Sequence, residues 1–341
     1  MARRIHPDAV PGAETPRSPL VSVIVPCHDR TDLLVECLAS VAAQTYPAIE
    51  VIVIDDASTE DVHAAVDSIS WLDTCSVEIL RSEVNVGPGA ARELGRVRAR
   101  GEFLSYLDSD DLWAATFVER QVTVLLDHPE AGFSYCVSRE FERTPITGSE
   151  PLRRMSDQEH RSLLPVVLEK RPWSTASCMW TSNASDRIGP WSPLWNWEDR
   201  EYDCRAGCLA VGVTFVGEAL CFKRRSGTSI SQEYSPRMSE SLAEAILRMD
   251  EAIERSGRRD DPAIAQGIDQ LLVTSALALL GRGELASADL ALRRLRGNSR
   301  DRRMRSFARL VLITRRVAGA TMAARVGARI RPATGRLQDE A

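Results

Sequence analysis

Polar and apolar positions alternate along the first hundred residues in a way that specifies a series of short elements. Val21 to Pro26 is a run of strand type, and Asp32 to Gln44 then carries Leu34, Cys37, Leu38 and Val41 at helical spacing. Tyr46-Pro47 breaks that helix. Val51 to Ile54 predicts a second, wholly apolar strand ending at Asp55-Asp56, Ala64 to Ile69 a short helix, and Val77 to Leu80 a third strand. Gly87, Pro88 and Gly89 punctuate the chain, and Pro88 suits the first turn of a helix running to about Arg100. Glu102 to Leu107 gives a fourth strand. Strands alternating with helices predict an α/β fold on a mainly parallel sheet, in which ligands bind beyond the carboxyl ends of the strands. His28-Asp29, Asp55-Asp56 and Asp108 to Asp111 all fall at such ends.

The pattern then loosens. Phe117 to Leu126 is helical, Gly132 to Val137 is a strand, and 144–161 is a polar connection. Trp173 to Trp197 holds five of the seven Trp among Pro, Ser and Gly, a composition that fits an irregular wall facing a sugar as well as it fits a core-packing loop. An amphipathic helix from Glu198 to Ala210 opens on an acidic pair. Ser239 to Arg296 reads as helices ending in one helical hairpin around Gly281 to Glu284, with no second copy to build a repeat array. In the last segment Arg302, Arg305, Arg309 and Arg316 share one helical face, opposite Met304, Phe307 and Val311. A basic amphipathic helix of this kind suits an anionic membrane surface or a solvated cover over the hairpin. The Arg residues have no accompanying aromatic stacking positions, which argues against nucleic acid as a partner.

Composition places the chain among globular proteins: 341 residues, 44% apolar and 27% charged, enough for a main domain with a smaller appendage. The net charge of -5 conceals an asymmetry, since residues 291–331 hold thirteen Arg against Asp301, or +12, leaving -17 for the remainder. Eight scattered Cys include no C-x-x-C pair, so neither a structural zinc site nor a disulfide framework is expected, and a reducing, cytoplasmic setting follows. Residues 1–19 lack an apolar core and read as a flexible leader, not a signal peptide. Leu271 to Leu280, the longest apolar stretch near the carboxyl end, is about half the roughly 20 residues of a membrane span.

The densest chemistry lies where the fourth strand runs into Asp108, Asp110 and Asp111. Carboxylates crowded into one turn repel each other, and hard oxygen donors in that arrangement suit Mg²⁺ or Mn²⁺, which fill their remaining positions from water and substrate phosphates. A solvated acidic turn is the alternative when the motif is taken alone.

Five blocks in order decide between them: Val21 to Arg30, Gln44 to Pro47, Val51 to Glu60, Asn85 to Arg92 and the acidic turn together resemble the family 2 glycosyltransferases over roughly residues 20–225. The resemblance implies a GT-A fold, a Rossmann-like mixed sheet flanked by helices, here with a C-terminal α-helical appendage. It also implies a nucleotide-diphosphate sugar donor, a divalent metal (Mn²⁺ or Mg²⁺) and inversion at the anomeric carbon. By the same likeness 20–112 is the nucleotide-binding half and 113–235 the acceptor half of a domain spanning 20–235, followed by a helical region at 236–332 and a tail at 333–341. Pro26 and His28 match the loop that contacts the base, and Asp56 the acid that bonds a pyrimidine, implying UDP- or TDP-sugar. Asp108 is implied near the ribose and Asp110 on the metal, with Asp111 behind them and Arg92 a candidate for the diphosphate. Asp199 is implied as the catalytic base, with Glu198, Trp197 and Arg205 around it; without the likeness, Glu198-Asp199 reads as capping charge. The acceptor is expected to be a carbohydrate or lipid-linked carbohydrate, which places the protein in the cytoplasm or at the inner face of a membrane.

The sequence departs from the family pattern at Cys27-His28-Asp29, where the base-stacking residue differs, at Glu93, and at Arg224-Arg225-Ser226-Gly227, which lacks a metal-binding His. Nucleotidyl transfer would require a Gly-rich basic loop near the first strand, which Pro26 to Arg30 does not supply, and dinucleotide oxidation a third Gly after Gly87-x-Gly89. A nucleotide-binding scaffold acting through the helical tail is the alternative from another class; the retained acids Asp56, Asp108, Asp110 and Asp199 argue against it.

Overall fold

Residues 18–70, 75–142, 157–225 and 235–330 are described by the computed structural model. Its centre is set by β1 (Val21–Cys27) and β2 (Ile49–Asp55), which pair in parallel from Val21↔Ile49 to Cys27↔Asp55. Both faces of these strands are covered, which explains their near-continuous apolar sequence. Val21, Val23 and Val25 pack with Leu34 and Leu38 of α1 (Thr31–Ala42), while Ile24, Ile52 and Ile54 point to the opposite core. β3 (Ser76–Arg81) extends the sheet beyond β2, with α2 (Val62–Asp67) before it. α3 (Pro88–Arg98) crosses back close to β1, where a side chain at Gly95 would strike Ile24, and leads to β4 (Phe103–Tyr106), parallel to β1.

From there the sheet turns mixed. Its order is β3-β2-β1-β4-β7-β6-β8-β5, with β5 (Leu112–Trp113), β6 (Ala131–Phe141), β7 (Cys178–Thr181) and β8 (Gly212–Arg224). β7 runs antiparallel to β4 and β6, β8 parallel to β6, and β5 antiparallel to β8. The chain moves to one side of β1 through β2 and β3, then to the other through β4. The β1/β4 junction is therefore the point where strand order reverses and a crevice opens. α4 (Phe117–Asp127) packs under this half, α5 (Val166–Glu169) and α6 (Ser182–Ile188) flank it, and α7 (Glu198–Cys208) opens on the acidic pair.

Four helices complete the chain: α8 (Pro236–Arg255), α9 (Pro262–Arg282), α10 (Leu285–Asn298) and α11 (Arg302–Ile330). α9 starts sharply because Asp261 accepts from Ala263 and Ile264 N–H ahead of Pro262, and ends at Gly283 in a left-handed conformation. It is long and apolar enough to cross a membrane by composition, but 67% of that stretch is buried inside the protein. Buried Arg259 ties α8 to α9 by pairing with Asp250 and Asp269. These helices share one core with the sheet, running from Ile24 and Tyr106 through Trp173 and Ile268 to Val311 and Ala323.

Elements expected before residue 112 occur within two or three residues of their predicted ends. Three strands were not anticipated, β5, β7 and β8; β6 runs four residues past the predicted Val137. The leader up to residue 17, the connection at 143–156, Ser226-Gly227 and the tail lie outside the described residues.

Candidate functional site

The loop after β1 is built to meet the loop after β2. Asp29 adopts a positive φ of 48° and its carboxylate accepts from Thr59 N–H (2.6 Å) and hydroxyl (2.9 Å). That geometry brings His28 Nδ1 to 2.7 Å from the Asp56 carbonyl oxygen. The Asp55 carboxylate is buried beneath Ser58 N–H and the Arg81 guanidinium. Asp56, 4% exposed, accepts from Val86 N–H (2.7 Å), Gly87 N–H (2.9 Å) and the Ser82 hydroxyl (3.2 Å), so its side chain holds the 82–87 loop against the sheet.

The acidic turn after β4 faces the same crevice. Asp108 Oδ1 accepts from Arg92 Nη2 at 2.7 Å, and Asp110 Oδ2 from Arg30 Nη1 at 2.8 Å. Asp111 is buried; its Oδ1 accepts from Arg224 N–H at 3.0 Å while its Oδ2 has no hydrogen-bond partner. Burial, followed by the charges of Asp108 and Asp110, pushes the Asp111 carboxyl well above the usual carboxylate range. Burial and Asp108 likewise raise Asp110, against the pull of Arg30. A buried carboxylate oxygen without a donor, in a cluster of hard oxygens that repel each other despite Arg30 and Lys223, fits a small divalent cation. Among the described residues no group of three side chains forms a complete metal centre, so such an ion would need ligands from elsewhere.

Arg92 joins this turn to the start of α7. Placed by the sequence near the start of an exposed helix, it is in fact buried, because α3 packs beneath the 191–198 segment. Its Nη1 lies 2.5 Å from Glu198 Oε1 while Nη2 holds Asp108, and its guanidinium sits over the Trp191 ring, 5.2 Å from the centroid. One cation thus spans the β4 turn and the start of α7.

At that start Trp197 takes a left-handed backbone (φ 61°), a conformation uncommon for a bulky residue, which redirects the chain so that Glu198 and Asp199 open the helix. The Arg200 guanidinium covers the Trp197 ring at 4.1 Å. Asp199 Oδ2 accepts from Arg171 Nη1 and the Thr175 hydroxyl, each at 2.9 Å, and the side chain remains 27% exposed. Arg171 also gives its Nε–H to buried Asp203 at 2.6 Å. Burial pushes the Asp199 carboxyl up, but Arg171 and Arg92 outweigh it and hold it at about 2. Glu198 moves the other way: burial raises it despite Arg92. Two adjacent carboxyls driven apart in this manner are a pattern of acid and base sites.

His28, Arg92, Asp108, Asp110, Asp111, Glu198 and Asp199 are therefore gathered at the strand ends through Arg30 and Arg92, while Pro26 pairs with Ile54 within β1. Arg205 does not join them. It lies two turns down α7, gripping Glu201 and the carbonyls of Ile188 and Pro190. The Trp-rich segment is mostly core: Trp173, Trp180 and Trp191 are buried, and Trp195 is held between the Arg237 guanidinium (4.0 Å) and Gly87. A Cβ at Gly87 or Gly89 would collide with Trp195 or with the backbone of Ser192, which explains Gly-Pro-Gly as a seat for this segment. Ser241 Oγ accepts from Trp195 N–H (2.7 Å) and Asn196 N–H (3.1 Å), so α8 holds the same loop from outside.

Sequence reasoning gave no role to Arg30, Arg171 or Thr175. Arg171 follows a polar connection with no motif around it; Arg30 stood inside a matched block and offered at least its position. Arg224, which opens the segment that departs from the family pattern, donates from its Nε to the Asp110 carbonyl at 3.1 Å.

The sequence pattern of Glycosyl transferase family 2 matches residues 22–192, half of the chain. The putative teichuronic acid biosynthesis glycosyltransferase TuaG of Bacillus subtilis is 32% identical over 117 residues, 34% of this chain and 46% of that protein. The UDP-Glc:alpha-D-GlcNAc-diphosphoundecaprenol beta-1,3-glucosyltransferase WfaP of Escherichia coli is 29% identical over 135 residues, 39% of this chain and 52% of that one. The chain spans about half the length of these curated relatives. Among solved structures, residues 1–349 of S. aureus TarS, crystallised with UDP-GlcNAc, superpose with a TM-score of 0.66 at 18% identity, covering 92% of this chain and 91% of that one. The mannosyltransferase PcManGT of Pyrobaculum calidifontis, crystallised with GDP-Man and Mn²⁺, superposes with a TM-score of 0.52 at 16% identity, covering 92% and 86%. These likenesses show the GT-A fold.

Proposed function

The chain belongs to glycosyl transferase family 2, and on that premise we propose that it moves a sugar, with inversion, from a nucleotide-diphosphate donor to an acceptor hydroxyl. The observation that carries this reading is Arg92, whose single guanidinium holds Asp108 of the donor turn and Glu198 beside the candidate base. A donor diphosphate at the β1/β4 crevice and an acceptor at the start of α7 would be neighbours.

In this reading Asp199 takes the proton as the acceptor oxygen forms its bond to the anomeric carbon and the bond to the diphosphate breaks, its electron pair leaving with the nucleoside diphosphate. Arg171 and Thr175 fix the orientation of that carboxylate, and its low pKa keeps it ionised throughout the neutral range. An anionic diphosphate beside it would raise its basicity. Asp110, with Asp111 behind it, would hold Mg²⁺ or Mn²⁺, which when bound neutralises charge on the leaving group. Pro26, His28 and Asp56 would set the nucleotide, through Asp56 by fixing the 82–87 loop as much as by contact.

UDP or TDP is the favoured nucleotide, UDP being the one bound by TarS and named in the donor of WfaP. WfaP also acts on a diphosphoundecaprenol-linked sugar, which supports a lipid-linked carbohydrate acceptor here. Such an acceptor would bring a cytoplasmic protein to the inner face of a membrane; all eight Cys are unpaired, in keeping with a reducing compartment.

Calorimetric titration with UDP, TDP and GDP, each with and without Mn²⁺, tests this reading. Metal-dependent binding selective for one pyrimidine diphosphate is expected. Absence of binding to all three would favour the scaffold reading instead.

A further inference from the structure

The last helix carries an unspent surface. Arg302 to Ala318 forms a straight first segment of α11, and the helix breaks at Gly319, whose φ of +82° only glycine adopts readily. The second segment returns to the hairpin, where a side chain at Gly327 would strike Leu277 of α9. Met304, Phe307, Ala308 and Val311 are buried against the preceding helices, so the inward face is fully used.

From Leu310 onward the outward face is not uniformly polar, as a solvated cover would be. Leu310, Ile313 and Val317 recur at i, i+3 and i+7 and are 44%, 58% and 82% exposed. Arg302, Arg309 and Arg316 run beside this stripe at seven-residue intervals. All three are exposed, and among the described residues none has a carboxylate within ion-pairing distance, whereas Arg315 on the inner side pairs with Asp289. Residues 291–331 carry +12 on a chain whose remainder carries -17, so an anionic plane would attract this end and repel the rest.

We propose that the Leu310/Ile313/Val317 stripe and its Arg302/Arg309/Arg316 border form a docking face for an anionic phospholipid bilayer, with the apolar stripe entering the headgroup boundary. Three side chains are too little apolar surface to insert alone, and a few Arg too little charge to hold alone, so both are required. A protein partner would be expected to meet a mixture of charges, and a nucleic acid to find aromatic platforms; the stripe offers neither. The proposal is independent of the crevice chemistry, and its failure would leave the transferase reading intact.

Flotation of the full chain with vesicles of phosphatidylcholine alone and of phosphatidylcholine with a third phosphatidylglycerol tests it. Binding is expected to the anionic vesicles only, weakening as salt rises. The double variant Ile313→Asp/Val317→Asp should no longer float, and Arg309→Gln/Arg316→Gln should partition about tenfold less at low salt. Both should keep the wild-type melting temperature and UDP affinity. Equal flotation on neutral vesicles, no flotation on anionic ones, or wild-type flotation of the Asp variant would overturn the proposal. So would a change of oligomeric state in the Asp variant without lipid, which would assign the face to contact between copies of the chain.

Discussion

The turn after β4 and the start of α7 are built from the same material, adjacent carboxylates sunk into the protein surface, yet one of these acids, Asp199, is held in the electrostatic state opposite to its neighbours. At the turn, three carboxylates have the guanidiniums of Arg92 and Arg30, the charge of Lys223 and the backbone of Arg224, yet burial and mutual repulsion push Asp110 and Asp111 up. At α7, Arg171 serves Asp199 and Asp203 while Arg92 serves Glu198, and Asp199 is pushed down. In the first region burial and mutual repulsion still outweigh Arg30 and Lys223 at Asp110 and Asp111. In the second, Asp199 alone is held down by its guanidiniums, while burial raises Glu198 and Asp203. Placement of guanidiniums, not the identity of the acids, makes the difference.

Replacing the preset carboxylate tests the comparison most severely. Asp199→Asn should lower kcat by about 10²- to 10⁴-fold with nucleotide affinity unchanged, as expected for loss of a general base. Transfer at the wild-type rate would remove Asp199 from the chemistry. Asp110→Asn should affect the other side: metal-dependent nucleotide binding falls about tenfold or more, while the melting temperature without metal rises by a few degrees because a repulsive charge has gone. A drop in melting temperature would mean that burial and repulsion do not outweigh the cations at Asp110. The smallest and most diagnostic change is Arg171→Gln. With its main cation removed, Asp199 titrates at higher pH, so the acidic limb of kcat/KM should move up from about 2 toward or beyond the ordinary carboxylate value. Arg171→Lys should restore most of the profile. The sign follows because a depressed carboxyl is ionised at all pH values above its pKa, and loss of the guanidinium narrows that range from the acid side.

Legibility in the sequence followed burial. β1 and β2 are covered on both faces, so their apolar runs stand out, and the acids that end them are conspicuous by contrast. β8 is half exposed along most of its length and interrupted by Gly217 and Glu218; β7 is four residues of Cys, Met, Trp and Thr paired antiparallel on both sides. Neither produces a periodic signal strong enough to read. Asp108, Asp110 and Asp199 were visible through motif blocks, but Arg171 lies 28 positions from the carboxylate it holds, and only folding brings them together. The Trp residues suggested a sugar wall because composition records which rings are present, not which way they face.

Ser241 has a consequence for how this chain can be divided. A boundary at residue 235 suits the sequence, where an α/β pattern gives way to helices, and would suggest a catalytic cassette with an exchangeable attachment. Yet Ser241 holds the backbone of Trp195 and Asn196, two residues short of Glu198, and the core passes from sheet to helices without a seam. In the language of recombination, the two pieces are not interchangeable parts. A graft at 235 would inherit the acids at the start of α7 but not the hydroxyl that keeps the approach to them in place.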